Sequence, residues 1–157
     1  EERLAVFIGK RGATKRNIEK KTHTKIEVRE DVTIKGEALD VMMAENIVRA
    51  ISRGFSPVNA LRLLDEEVAL EMIDLPKNKN VLKRLRARLI GTGGKCRRNI
   101  ELLTETSISI YGKTVGIIGK YENVKLAEDG IDRLIKGISH RNVYVYLVHH
   151  QKDLKDI

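Results

Sequence analysis

Two hydrophobic periods alternate along the chain, and they follow one another in the same order twice. Val41, Ala44, Ile47, Val48 and Ile51 recur three or four apart, which predicts a helix over residues 37–51 with one apolar face. Residues 25–28 and 32–35 instead alternate β-branched with polar side chains, the period of an antiparallel strand pair. The same reading predicts helices over 2–8, 13–22, 78–90, 95–104 and 122–136, and strands over 68–74, 107–111 and 114–118. Ser56-Pro57 is a helix start, a capping hydroxyl followed by proline at the first helical position, and leads into a short helix over 58–64. Asp65-Glu66-Glu67 reads as a solvated acidic turn, and Pro76 closes the strand that follows it.

The second passage of the pattern is a copy of the first. Ile8-Gly9-Lys10-Arg11-Gly12 matches Ile90-Gly91-Thr92-Gly93-Gly94, and Asn17-Ile18-Glu19 matches Asn99-Ile100-Glu101 at the same offset of 82. Thr22-x-Thr24-x-Ile26-x-Val28 then matches Thr104-x-Thr106-x-Ile108-x-Ile110. With one residue of slippage Gly36 pairs with Gly119, Gly54 with Gly137 and Ser56 with Ser139. Units this long own a modest core, so the duplication predicts two domains, residues 1–66 and 67–157, rather than a small-repeat solenoid. It also settles residues 143–148: Val-Tyr-Val-Tyr-Leu-Val has strand propensity, but its alignment with the helix after Ser56 predicts helix. No counterpart of strand 68–74 precedes helix 2–8, so the first copy is expected to lack its initial strand.

The chemistry concentrates where each copy turns from one helix to the next. Glycines three apart let a loop bend sharply and bring its amides against a ligand without a Cβ in the way. The following helix points its free N–H groups and the positive end of its dipole into that loop, a favourable place for an anion.

Ile-Gly-x-x-Gly, then a helix, then Thr-x-x-x-Ile-x-Ile or Val, resembles the type I KH domain, and the resemblance covers nearly the whole chain. It implies an α+β fold of two KH domains, each β-α-α-β-β-α with a three-stranded antiparallel sheet packed on helices. More narrowly, the tandem pair with Leu89-Ile90-Gly91-Thr92-Gly93-Gly94-Lys95 in its second copy is similar to the archaeal Dim-two, or partner-of-Nob-one, family of ribosome assembly factors. That similarity implies binding to the 3′ end of 16S ribosomal RNA during late small-subunit assembly. A PIN-domain endonuclease and a translation initiation factor subunit are the implied protein partners.

In a KH fold the first two helices and the next strand hold about four unpaired nucleotides while the GxxG loop clamps their backbone. The repeat assigns the parts. Ile8, Gly9, Gly12 and Ile26 in copy one, and Ile90, Gly91, Thr92, Gly93, Gly94 and Ile108 in copy two, supply loop and apolar floor. Lys10, Arg11, Lys15 and Arg16, and Arg86, Lys95, Arg97 and Arg98, are the phosphate candidates. Ile18, Val28, Ile100 and Ile110 share the floor pattern, and a part of these isoleucines must belong to the core.

Composition narrows the partner. Thirty Lys and Arg against 22 Asp and Glu give a net charge of +8, which favours a polyanion without distinguishing RNA from DNA or an acidic protein. One cysteine rules out an internal disulfide, and no apolar run approaches membrane-spanning length, so a cytoplasmic protein is expected. Catalysis finds little support. Gly91-Thr92-Gly93-Gly94-Lys95-Cys96 lacks the spacing and the Ser or Thr after Lys of a P-loop. His149 and His150 are adjacent, which splays them on a helix, and no cluster of metal-binding type accompanies them, so neither metal nor cofactor is expected. Cys96 sits beside cations that could lower its pKa, but its spacing to Ile100 and Leu103 places it on an inward helix face. Binding of single-stranded ribosomal RNA therefore competes with two other readings, a protein adaptor in which one KH copy presents its surface to a nuclease or initiation factor, and a generic KH RNA-binding regulator.

Overall fold

The computed structural model describes residues 2–155. The chain divides into two compact units, residues 1–68 and 69–157. In the first, α1 (Leu4–Ile8) runs through a tight turn at Lys10–Gly12 into α2 (Ala13–Thr22). Strands β1 (Lys25–Val28) and β2 (Val32–Lys35) follow, then α3 (Ala38–Ser52) and the short α4 (Pro57–Ala60), which tightens into a 3₁₀ turn at Leu61–Leu64. β1 and β2 pair antiparallel, with Ile26 opposite Ile34. This two-stranded sheet is the whole sheet among the described residues of the unit.

The second unit repeats the plan with one more strand. β3 (Val68–Asp74) crosses from the end of the first unit and leads to α5 (Lys79–Ile90), a turn at Thr92–Gly94 and α6 (Lys95–Thr104). β4 (Ser107–Tyr111) and β5 (Thr114–Lys120) come next, then α7 (Tyr121–Ile135) and α8 (His140–Lys155). The sheet order is β3-β5-β4, and β4 pairs antiparallel with β5 from Ser107 opposite Ile118 to Tyr111 opposite Thr114. β5 runs two residues beyond the predicted strand, and Gly119 in that extension lies against Thr106 with no side chain between them. A Cβ there would stand 2.9 Å from Thr106 Cγ2.

Each unit closes over its own core. Phe7, Ile18, Ile26, Ile47, Ile51 and Phe55 are buried in the first. The amphipathic α3 delivers Ala44, Ile47 and Ile51 to that core, while Val41 and Val48 on the same face are half-buried. In the second, Leu89, Cys96, Ile100, Ile117, Ile131 and Leu134 are joined by Val143 and Leu147 of α8. Burying a Val or Leu side chain is worth about 1.5–3 kcal/mol. Seating Val143 and Leu147, four apart, lets a β-prone segment settle as helix, and Ser139 starts it by accepting the Asn142 N–H at 3.2 Å. Ser56 does the same for α4, accepting the Asn59 N–H at 3.2 Å.

Candidate nucleic-acid interface

The helix-loop-helix-strand corner is built alike in both units. Gly9 and Gly91 close the first helix with φ 74°, ψ 179° and φ 73°, ψ 175°, a region reserved for glycine. Space forbids a side chain as firmly as the torsions do. A Cβ on Gly91 would lie 2.7 Å from Cys96 Cβ and 2.8 Å from its backbone nitrogen, and one on Gly9 would lie 2.2 Å from Thr14 Oγ1. Gly12 and Gly94 then start the second helix from the left-handed region. Between them Arg11, at φ 56°, holds the conformation that Gly93 holds at φ 60°.

The helices that leave these loops are unusual in charge. Neither α2 nor α6 has a side-chain cap or an acidic residue in its first turn. Lys15 and Arg16 in one, Lys95, Arg97 and Arg98 in the other, stand there instead. A cation beside the positive end of a helix dipole costs about 0.3–1 kcal/mol, and an anion bound between the open amides and the cations reverses that sign.

The predicted cations divide into two groups. Lys10, Arg11, Arg16 and Lys95 are exposed, and Arg86 is half-buried on α5. Arg98, also exposed, folds back over its loop and donates to the Gly93 carbonyl at 2.7 Å. Lys15 and Arg97 face the strand instead. Lys15 pairs with Glu19 at 3.1 Å and donates to the Ile26 carbonyl at 2.9 Å, and Arg97 pairs with Glu101 at 2.6 Å. Both are therefore already engaged with the carboxylates that line the groove, while the exposed cations of the first group are not.

The carboxylates they hold are latches. Glu19 Oε2 accepts the Ile26 N–H and Glu101 Oε2 accepts the Ile108 N–H, each at 2.8 Å, so the start of β1 or β4 is tied to the helix. Burial disfavours the charged form of Glu19, but the Ile26 amide, with Lys15 and Lys25, outweighs it and holds the carboxyl below its ordinary range. The repeated threonines complete the corner. Thr104 donates to the Ile100 carbonyl at 2.6 Å and meets Thr106 at 2.8 Å, and Thr22 does the same with Ile18 and Thr24.

The floor is narrower than the sequence pattern predicts. Ile26, at 1% exposure, and Ile108, at 6%, lie in the core with Ile18 and Ile100. They support the groove from beneath and expose almost none of their side chains. Ile8 and Ile90 at the helix ends, with Val28 and Ile110 on the strands, are half-buried and remain as apolar floor. Residues two apart share a face of the strand, so Ile110 packs against the same core as Ile108 and differs from it in being half-buried rather than buried.

Sequence reasoning missed a pair of arginine braces. Arg3 donates to the Ile51 and Phe55 carbonyls at 3.0 and 2.8 Å, and Arg88 donates to the equivalent carbonyls, Leu134 at 2.8 Å and Ile138. Arg3 aligns with Leu85, one helical turn from Arg88, so the repeat conceals that both braces hold the same place. Cys96 is core, at 1% exposure, and burial pushes its thiol up despite the Tyr144 hydroxyl and Arg88. Among the described residues no three His, Cys, Asp or Glu side chains gather as metal ligands, and no helix is long and apolar enough to cross a membrane.

Residues 68–152 match the eukaryotic-type KH domain, KH type I, and residues 3–50 match the KH domain. A KH domain-containing protein of Methanocaldococcus jannaschii is 41% identical over 99% of this chain and 73% of its own length. The RNA-binding protein pno1 of Ixodes scapularis is 34% identical over 64% of this chain and 45% of its own length. This chain belongs to the Dim2/PNO1 family of KH-domain proteins. Dim2 of Pyrococcus horikoshii, solved in complex with a/eIF2α and rRNA, superposes with a TM-score of 0.88 at 43% identity, over 97% of this chain and 90% of that one. The family is one of KH RNA-binding and ribosome-assembly proteins. The eukaryotic members are about twice as long as the part matched here, as the Ixodes coverage shows.

Proposed function

We propose that this Dim2/PNO1 member holds the 3′ end of 16S ribosomal RNA as a single strand across both clamps during late small-subunit assembly, without cutting it. The observation that carries the reading is that both loops keep the same glycine-enforced geometry, uncapped helix start and exposed cations. A single clamp could be a relic, whereas two intact ones suit one strand engaged twice. The rRNA complex of the Pyrococcus relative supports the class of ligand. That complex also contains a/eIF2α, which supports the second reading, an adaptor that brings a translation initiation factor or a PIN-domain endonuclease to the same RNA.

The test is a titration of the chain with an unpaired RNA of the 16S 3′ sequence, its two halves and a shuffled strand of equal composition. Joined sites raise the effective concentration of the second contact, so the full strand should bind at least about a hundredfold more tightly than either half. The affinity should fall steeply with salt, as displaced counterions require. Equal affinity for the intact and shuffled strands overturns the 16S assignment. Intact RNA after incubation with magnesium or manganese is the expected result for a binder that leaves cleavage to a partner.

A further inference from the structure

One face of the second unit is left apolar on the flank of α6 away from the groove. Glu101 and Arg97 face β4, and Leu102, about 100° further round the helix, points elsewhere and is 77% exposed. Across from it α8 presents Arg141, Val145, Val148 and Lys152, spaced four, three and four apart and therefore in one line along the helix. Val145 and Val148 are exposed at 49% and 42%. Two clefts share Val148: one of about 350 Å³ walled by Arg141, Tyr144, Val145 and His149, the other of about 240 Å³ walled by Leu102, Leu103, Glu105, Gln151 and Lys152. The two clefts meet at Val148 and together follow α8 from Arg141 to Lys152, a trough of roughly 16 Å or about three turns of helix.

We infer that this trough docks an acidic amphipathic helix of a partner protein. Helices recognise such troughs by apolar residues at spacings of three, four and seven, and Val145 and Val148, three apart on α8, with Leu102 of α6 offer them apolar contacts. The rim fixes the sign of the partner. Arg141 and Lys152 close the two ends, His149 flanks Val145, and Glu105 is the acidic residue lining the clefts. A nucleotide fits less well. Bases stack on free aromatic faces, but the Tyr144 ring lies against His140, 6.3 Å between centroids and 16° from parallel, with its hydroxyl held by Cys96 and Asn99. A second copy of the chain fits less well again, because its own basic rim would face this one.

The experiment uses the full chain and synthetic helical peptides of about four turns, with leucines at positions one, four and eight and either glutamates or lysines elsewhere. The glutamate peptide should bind, and the lysine peptide about tenfold or more weakly. Arg141→Glu with Lys152→Glu should invert that ranking. Leu102→Glu with Val148→Glu should cost about tenfold or more for the glutamate peptide. Leu102→Ser with Val148→Ser, a milder pair at the same exposed sites, should weaken it in the same direction, and neither pair should alter RNA affinity. Equal binding of the two peptides, or a ranking unmoved by charge reversal, overturns the inference. So does loss of RNA affinity in the Leu102/Val148 variants, which would put nucleotides in the trough, or a parent dimer that these variants dissociate, which would put a second copy there.

Discussion

Glu101 ties the end of α6 to the start of β4 by accepting the Ile108 N–H at 2.8 Å, and it does so with the oxygen that Arg97 leaves free. The Ile108 side chain is buried, so its amide has poor access to water. Glu101→Ala should therefore cost about 1–3 kcal/mol, the penalty for orphaning a buried donor. Glu101→Gln keeps an acceptor and should cost about half as much. Urea unfolding of both variants checks the order, and equal losses would show that charge rather than the latch matters.

The matching latch in the first unit is sensitive to acid. The carboxyl of Glu19 has a folded pKa below its unfolded value of 4.5, so its contribution is complete above that value. It is lost as pH falls through the lower folded pKa. Unfolding measured from pH 7 down to pH 2 should show this loss in the parent, and Glu19→Gln should flatten that part of the profile. A parent and variant with parallel profiles would sink the assignment.

Thr92→Asp with Gly93→Asp should leave the second unit folded. Thr92 and Gly93 are exposed, a Cβ on Gly93 meets nothing within 4 Å, and Arg11 shows that a side chain is accommodated at the equivalent left-handed position. Aspartate tolerates that region better than most residues. RNA affinity should nevertheless fall by about 2–3 kcal/mol, because two carboxylates face the phosphate and oppose the helix dipole. Lys10→Asp with Arg11→Asp reverses two charges as well and should cost at least as much. Thermal unfolding beside RNA binding separates the two effects; normal folding with parental affinity in both variants would reject the clamps.

His23 ends α2 at φ 56°, ψ 40°, a conformation that charges a side chain about 1 kcal/mol and glycine little. Its side chain is exposed. His23→Gly should stabilise the first unit by about 0.5 kcal/mol once the greater freedom of unfolded glycine is subtracted. A lower midpoint in urea would show that the histidine makes a compensating contact.

The doubling, the element order and the glycine loops are all legible along the chain. These depend on local causes that leave direct traces: the periods of three to four and two, the glycines no other residue can replace, and Ser56 and Ser139 at helix starts. The sequence also marked Glu19, Glu101 and the Thr-x-Thr pairs as repeated residues, although their role as latches needed the distances between helix and strand. Only the tertiary structure separated Ile26 and Ile108, which are core, from Ile8, Ile90, Val28 and Ile110, which are floor. Burial depends on what packs above a residue, and that neighbour comes from another part of the chain. The same holds for charge. Lys15 and Arg97 read like Arg16 and Lys95 in one dimension, but the fold brings a carboxylate to each of the first two, and a strand carbonyl to Lys15 as well, and leaves the others facing solvent.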